Sequence, residues 1–141
     1  MRIRFSIIIP ASIIALIIDL NVSAATFDND IQIKSDTVEF LKEANQISFL
    51  DDVEINSNFV IIYAESALYD DVSQIISIKG IPSSIQSNKG DSFFSGTAER
   101  IIFFNDEKVQ LIGNASMKYE NVSISSNIII FNPRTGKFSS E

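Results

Sequence analysis

The sequence predicts an all-β domain built from a repeated two-strand unit, on three observations. Apolar and polar residues alternate over short runs, turn residues punctuate those runs, and one small-acidic-aromatic pattern recurs along the chain. The alternation is plain in Ile31-Gln32-Ile33, Ile47-Ser48-Phe49, Val53-Glu54-Ile55, Val109-Gln110-Leu111 and Val122-Ser123-Ile124. Period two is the signature of a strand with one buried face. Between the runs lie Glu43-Ala44-Asn45, Asn56-Ser57-Asn58, Asp70-Asp71, Asn88-Lys89-Gly90-Asp91, Asn105-Asp106, Gly113-Asn114 and Asn132-Pro133-Arg134-Thr135-Gly136, residues whose side chains or backbone freedom suit turns. Ile, Val and Phe are abundant, and no stretch keeps a capped 3.6-residue period. Only Thr37 to Ala44 leaves room for a short helix.

The repeat organises these runs. A small residue, then Asp, Glu or Asn, then an aromatic four residues later, occurs at Ser35-Asp36 with Phe40, Ala64-Glu65 with Tyr69, Ala98-Glu99 with Phe103, and Ser126-Asn127 with Phe131. A second element follows each start, beginning at Gln46, Gln74, Lys108 and Lys137. Copies of one supersecondary unit thus account for nearly everything between Ile31 and Phe138.

Apolar parity says what the small-acidic pairs do. Ile33 precedes Val38 and Phe40, Ile62 precedes Ala67 and Tyr69, and Ile124 precedes Ile129 and Phe131, so the buried face changes parity across each pair. A straight strand cannot do this. Each pair therefore marks a bulge or corner where the chain bends from one layer into another. The region from Gly90 to Gly96 is too irregular to test the third copy. Layers joined by repeated corners make a sandwich, a jelly roll or a short solenoid, with strands of four to six residues.

The N-terminus reads as an address. Arg2 and Arg4 are followed by an apolar run from Phe5 to Ile18, Asp19 ends it, and Val22-Ser23-Ala24 supplies small residues for cleavage after Ala24, with Ala25 the close alternative. A membrane span needs about 20 apolar residues; this run is shorter and interrupted by Ser6, Pro10 and Ser12. The expectation is a signal peptide over 1–24, secretion, and one domain over 25–141. An uncleaved anchor is the alternative.

Composition narrows the chemistry. The net charge of −7 argues against nucleic acid, which is bound by basic surfaces that release phosphate counterions. With neither Cys nor His, the chain has no Cys- or His-based nucleophile system, no usual zinc ligand and no disulfide. Carboxylates remain, and a glycosidase needs two about 5 to 9.5 Å apart across a sugar. The pairs Asp51-Asp52 and Asp70-Asp71 are expected at solvated turns instead. No catalytic residue, metal or cofactor is assigned.

The repeats resemble the LptA/OstA-like family of lipopolysaccharide transport proteins. The likeness lies in Ile31-Gln32-Ile33-Lys34-Ser35-Asp36, Ile47-Ser48-Phe49-Leu50-Asp51-Asp52-Val53, Ile62-Tyr63-Ala64-Glu65, Ile78-Lys79-Gly80-Ile81-Pro82 and Val109-Gln110-Leu111-Ile112-Gly113-Asn114-Ala115. Asp51-Asp52 stands where the family tends to have Gly-Asn. The resemblance implies a twisted antiparallel β-jelly roll in the periplasm, with an apolar groove for the acyl chains of lipid A. It also implies partners among other such components at the inner and outer membranes, and no enzymatic activity. A membrane-anchored LptC-like member and a structural β-repeat module without lipid are the rivals.

On the parity argument the inward residues, and hence the expected groove, are Ile31, Ile33, Phe49, Val53, Ile55, Ile62, Ile78, Ile85, Leu111, Ala115, Met117 and Ile124. The first strand, Ile31 to Lys34, and the last, Lys137 to Ser139, are expected as open edges. Edges of this kind are templates for pairing, and joining first to last would give a head-to-tail homo-oligomer.

Overall fold

The computed structural model describes residues 24–27, 30–88 and 93–140. The expected signal peptide lies outside them, except for Ala24, which opens the first strand. The strands are β1 (Ala24–Phe27), β2 (Ile31–Lys34), β3 (Thr37–Leu41), β4 (Gln46–Asn56), β5 (Val60–Asp70), β6 (Ile75–Ser87), β7 (Phe94–Asn105), β8 (Lys108–Tyr119), β9 (Val122–Phe131) and β10 (Phe138–Ser140). Where a helix could have competed, Thr37–Leu41 is extended and only Lys42–Ala44 forms a 3₁₀ turn, closed by Asn45 in the left-handed region. No helix among the described residues is long and apolar enough to cross a membrane.

All ten strands belong to one antiparallel sheet in the order β1-β2-β4-β5-β6-β7-β8-β9-β10, with β3 beside β2 on β4. β2 pairs with Gln32↔Asn56 to Lys34↔Glu54, and β3 with Thr37↔Leu50 to Leu41↔Gln46. They are two halves of one strand, broken at Ser35-Asp36. Across the sheet the register shifts in line with that break: between Leu50 and Val53, Tyr63 and Ser66, Lys79 and Ser83, Thr97 and Arg100, and Ile112 and Ala115. This row of bulges is a crease dividing the sheet into two arms. Arm 1 holds 31–34, 53–64, 83–98 and 115–126; arm 2 holds 37–50, 66–79, 100–112, 128–131 and 138–140. The arms fold toward each other, and their inner faces make the core. Phe94 of arm 1 meets Phe131 of arm 2 with ring centroids 4.6 Å apart.

The small-acidic pairs sit on the crease as expected, and the burial pattern flips parity across Ala64-Glu65 and Ser126-Asn127. It flips across Ala98-Glu99 too, where Phe94, Gly96 and Ala98 are buried before the pair and Ile101 and Phe103 after it. Phe40, expected on the buried face after Ser35-Asp36, is 37 % exposed, because among the described residues β3 pairs only with β4. Three more expectations are corrected. β4 to β9 are 10 to 13 residues long, because a bulge bends a strand without ending its pairing. Asp51-Asp52 and Gly113-Asn114 are not at turns but inside β4 and β8, Asp51 and Asp52 both exposed with φ of 66° and 51°. Ile31–Lys34 is not an edge, because β1 pairs along its whole length.

Asp70-Asp71 does begin the β5–β6 turn. The Asp70 carboxylate accepts the N–H groups of Val72 and Ser73 at 2.9 and 3.1 Å. The Ser73 and Val72 N–H groups hold its carboxyl below the usual range.

Candidate functional site

The candidate site is the interior between the arms. Eleven of the twelve expected residues are at most 6 % exposed, from Ile31 at 6 % to Ile33, Phe49, Ile55, Ile62 and Leu111 at 0 %. Ile124, at the end of β9, is partly buried and packs on the same cluster. All twelve therefore face inward. Cross-strand pairing sets them side by side: Ile33 by Ile55, Ile55 by Ile62, Ile62 by Ile85, and Met117 by Ile124.

Most of those residues belong to arm 1. The buried residues outside the expected groove lie mainly in arm 2: Ile47, Ala67, Tyr69, Ile76, Ile101, Phe103, Val109, Ile129 and Phe131. The parity flip was the signal for them, since Ala67, Tyr69, Ile129 and Phe131 continue the inner face only if the flip is carried across the crease. The arms differ inside. Arm 2 brings Phe49, Tyr69, Phe103 and Phe131 to the core, whereas arm 1 is chiefly Ile and Val with Met117 and Phe94. Of the other tyrosines, Tyr63 is 42 % exposed.

No charged side chain is buried among the described residues; the buried polar ones are Thr37, Ser57 and Ser83. The hydroxyls of Thr37 and Ser83, both beside the crease, lack a hydrogen-bond partner among the described residues. An interior with this lining can hold hydrocarbon by burial, at about 0.8 kcal/mol per methylene. It presents no acid, base or metal-ligand set; no cluster of three or more potential ligands occurs among the described residues.

The free ends of the arms, opposite the crease, touch each other. Ser57, between β4 and β5, donates from Oγ to Asp106 Oδ1, between β7 and β8, at 2.8 Å. Arg134, between β9 and β10, lies over the Phe59 ring at 5.4 Å. Tyr119 packs on Gly136, whose φ is +76° and where a Cβ would fall 2.5 Å from the ring. Asn88 braces the Ser57 turn, donating from Nδ2 to the Ser57 carbonyl at 2.7 Å and from its backbone N–H to the Phe59 carbonyl at 3.0 Å.

Residues 32–137, which include both arms and the crease, match the family described as LptA/(LptD N-terminal domain) LPS transport protein. The chain belongs to this family. It is a family of lipopolysaccharide transport proteins, and the twelve expected residues fall within its match except Ile31. No curated protein matches the chain significantly in sequence. Among solved structures, the fold is similar to LptH from Pseudomonas aeruginosa, the LptA homologous periplasmic component of the conserved lipopolysaccharide transport device in that organism. That likeness has a TM-score of 0.68 and 14 % identity over 78 % of this chain and 80 % of LptH. The folded, creased sheet is the LptA-like β-jelly roll.

Proposed function

We propose that this chain is a periplasmic lipopolysaccharide carrier, holding the acyl chains of lipid A between its arms and passing the molecule on without catalysis or cofactor. The observation that carries this reading is an uncharged apolar interior running through the region of the family match. The acyl chains bind by hydrophobic burial, which is non-directional, so a lipid can move along a uniform lining without breaking specific bonds. Charge supports the assignment of roles: a chain of net charge −7 holds an anionic glycolipid by its tails rather than its phosphates.

Bridging between membranes follows from the sheet's two ends. Among the described residues β1 and β3 are the N-terminal edges of arms 1 and 2 and β10 is the C-terminal edge of arm 2; β10 pairs with only three residues of β9, Ile129 to Phe131. Pairing the C-terminal edge of one copy with the N-terminal edge of the next is heterologous, so it continues as a filament and keeps the interiors in line.

The test is retention of radiolabelled lipopolysaccharide on the purified chain, compared with Ile62→Asp and Met117→Arg. Both variants are expected to lose the ligand. A native chain that retains no lipopolysaccharide would overturn the reading. For assembly, deleting residues 137–141 is expected to leave a folded monomer that still binds lipid. Unchanged concentration dependence in sedimentation would sink the edge-pairing scheme.

A further inference from the structure

We propose that the contacts among Ser57, Asp106, Phe59 and Arg134 form a clasp that gates entry to the interior, with the crease as its hinge. The proposal rests on the reading that the interior binds lipid, and deepens it by naming what controls access.

The argument begins with burial. Ile33, Phe49, Ile55, Ile62, Leu111 and Phe131 are 0 % exposed, so an acyl chain approaching from the side, rather than along the sheet axis from a neighbouring copy, cannot reach them unless the arms separate. Along the crease the arms are parts of the same hydrogen-bonded strands and stay joined. Separation is therefore possible only at the free ends. The bulges make the crease the natural place to bend, because there the ladder is already interrupted.

Two kinds of contact hold the free ends together, and a lipid treats them differently. Apolar contact between the arms, as between Phe94 and Phe131, is exchangeable: an entering acyl chain buries the same surface. For the clasp only water can take the partner's place. Hydrocarbon cannot replace the Ser57 hydroxyl on Asp106, nor a guanidinium over the Phe59 ring. These contacts must break for the arms to part. A hydrogen bond to a carboxylate together with a cation–π contact shifts an opening equilibrium by roughly one to two orders of magnitude.

The chain places these groups deliberately in space. Ser57 is only 4 % exposed, and its Oγ also accepts the N–H groups of Phe59 and Val60 at 3.3 and 3.2 Å, which fixes the hydroxyl toward Asp106. Asn132 Oδ1 accepts the N–H groups of Arg134 and Thr135 at 3.0 and 3.2 Å, fixing the turn that presents Arg134. Glu107 lies 3.5 Å from Arg134 Nη1, completing a polar seam across the mouth.

The chain has no cysteine, so the double variant Ser57→Cys/Asp106→Cys carries a single thiol pair across the clasp. Bridging that pair with a fluorogenic bimane locks the arms shut. Uptake of fluorescent lipopolysaccharide is then followed by stopped flow for the native chain, the double variant before and after bridging, and Arg134→Ala. The unbridged double variant and Arg134→Ala are expected to load at least as fast as the native chain, and the bridged form at least tenfold more slowly. If the bridged form loads as fast as the unbridged one, the clasp is not the gate, although the interior still binds lipid. If the native chain itself takes up none, the lipid reading fails first and the gate with it.

Discussion

In β4, β5, β7, β8 and β9 the crease is turned in two ways. In β4 and β8 the inner face keeps its parity from end to end: Ile47, Phe49, Val53 and Ile55 are buried in one, and Val109, Leu111, Ala115 and Met117 in the other. At their bends each has two consecutive residues with positive φ, Asp51 and Asp52 at 66° and 51°, and Gly113 and Asn114 at 85° and 45°. In β5, β7 and β9 the parity flips, and the corner pairs Ala64-Glu65, Ala98-Glu99 and Ser126-Asn127 stay in ordinary backbone regions. The reason lies in the pairing. Asp51-Asp52 faces the single residue Glu65, and Gly113-Asn114 faces the single residue Asn127. One strand of the pair carries the extra residue and absorbs it by left-handed backbone; its neighbour turns the corner by skipping a place in the alternation.

The sharpest test of this difference uses adjacent residues. Leu111→Ala and Ile129→Ala empty the inner face and are expected to destabilise the domain by about 2 to 5 kcal/mol. Ile112→Ala and Ile128→Ala, one step away on the outer face, are expected to cost much less. Urea melts read the difference, and equal losses within either pair would contradict the assigned faces. Next in size is Gly113→Ala. Its φ of +85° and the Glu99 side chain filling the place of a Cβ predict a loss of about 1 to 2 kcal/mol, visible as a lowered Tm. Asp52→Gly runs the other way, since a non-glycine residue is strained in the left-handed region; a gain of up to about 1 kcal/mol is expected, and a lower Tm would show that the aspartate side chain matters there.

The smallest effect separates corner carboxylates from the turn carboxylate Asp70. Its folded pKa is lowered by the Ser73 and Val72 N–H groups, so its contribution is present above its unfolded value and lost as the pH falls through the folded one. Stability of the native chain should therefore decline further on acidification below about 3.8, the ordinary value, than that of Asp70→Asn. Parallel acid profiles for the two would remove the role given to those N–H groups.

Much of this was legible in the sequence, and the limits are physical. Period two marks the strands, and parity changes at Ala64-Glu65 and Ser126-Asn127 mark the crease. Asp51-Asp52 was misplaced because two consecutive aspartates have the composition of a turn, and only the cross-strand count against Glu65 shows that they bulge inside a strand. The twelve expected interior residues face inward because alternation is strict within an arm. The same alternation puts Ile47 and Val109 on the inner face with Phe49 and Leu111, whereas Ile101 is hidden because the irregular stretch from Gly90 to Gly96 conceals the parity of the third copy. The clasp left no local signature: Ser57 and Asp106 are 49 positions apart and meet only because the sheet is folded.

The meander also sets a ruler. Every strand from β4 to β9 lends one segment to each arm, so a hairpin lends two, and adding or removing a hairpin changes both walls of the enclosure by the same amount. Neighbouring strands lie about 4.8 Å apart, and a hairpin is therefore a step of roughly 10 Å in the length of the enclosure. Growth by duplication leaves its cross-section alone, because width is fixed by arm length and lining while length is counted in hairpins. Longer enclosures can be built by inserting whole units at the crease spacing, with no redesign of the lining.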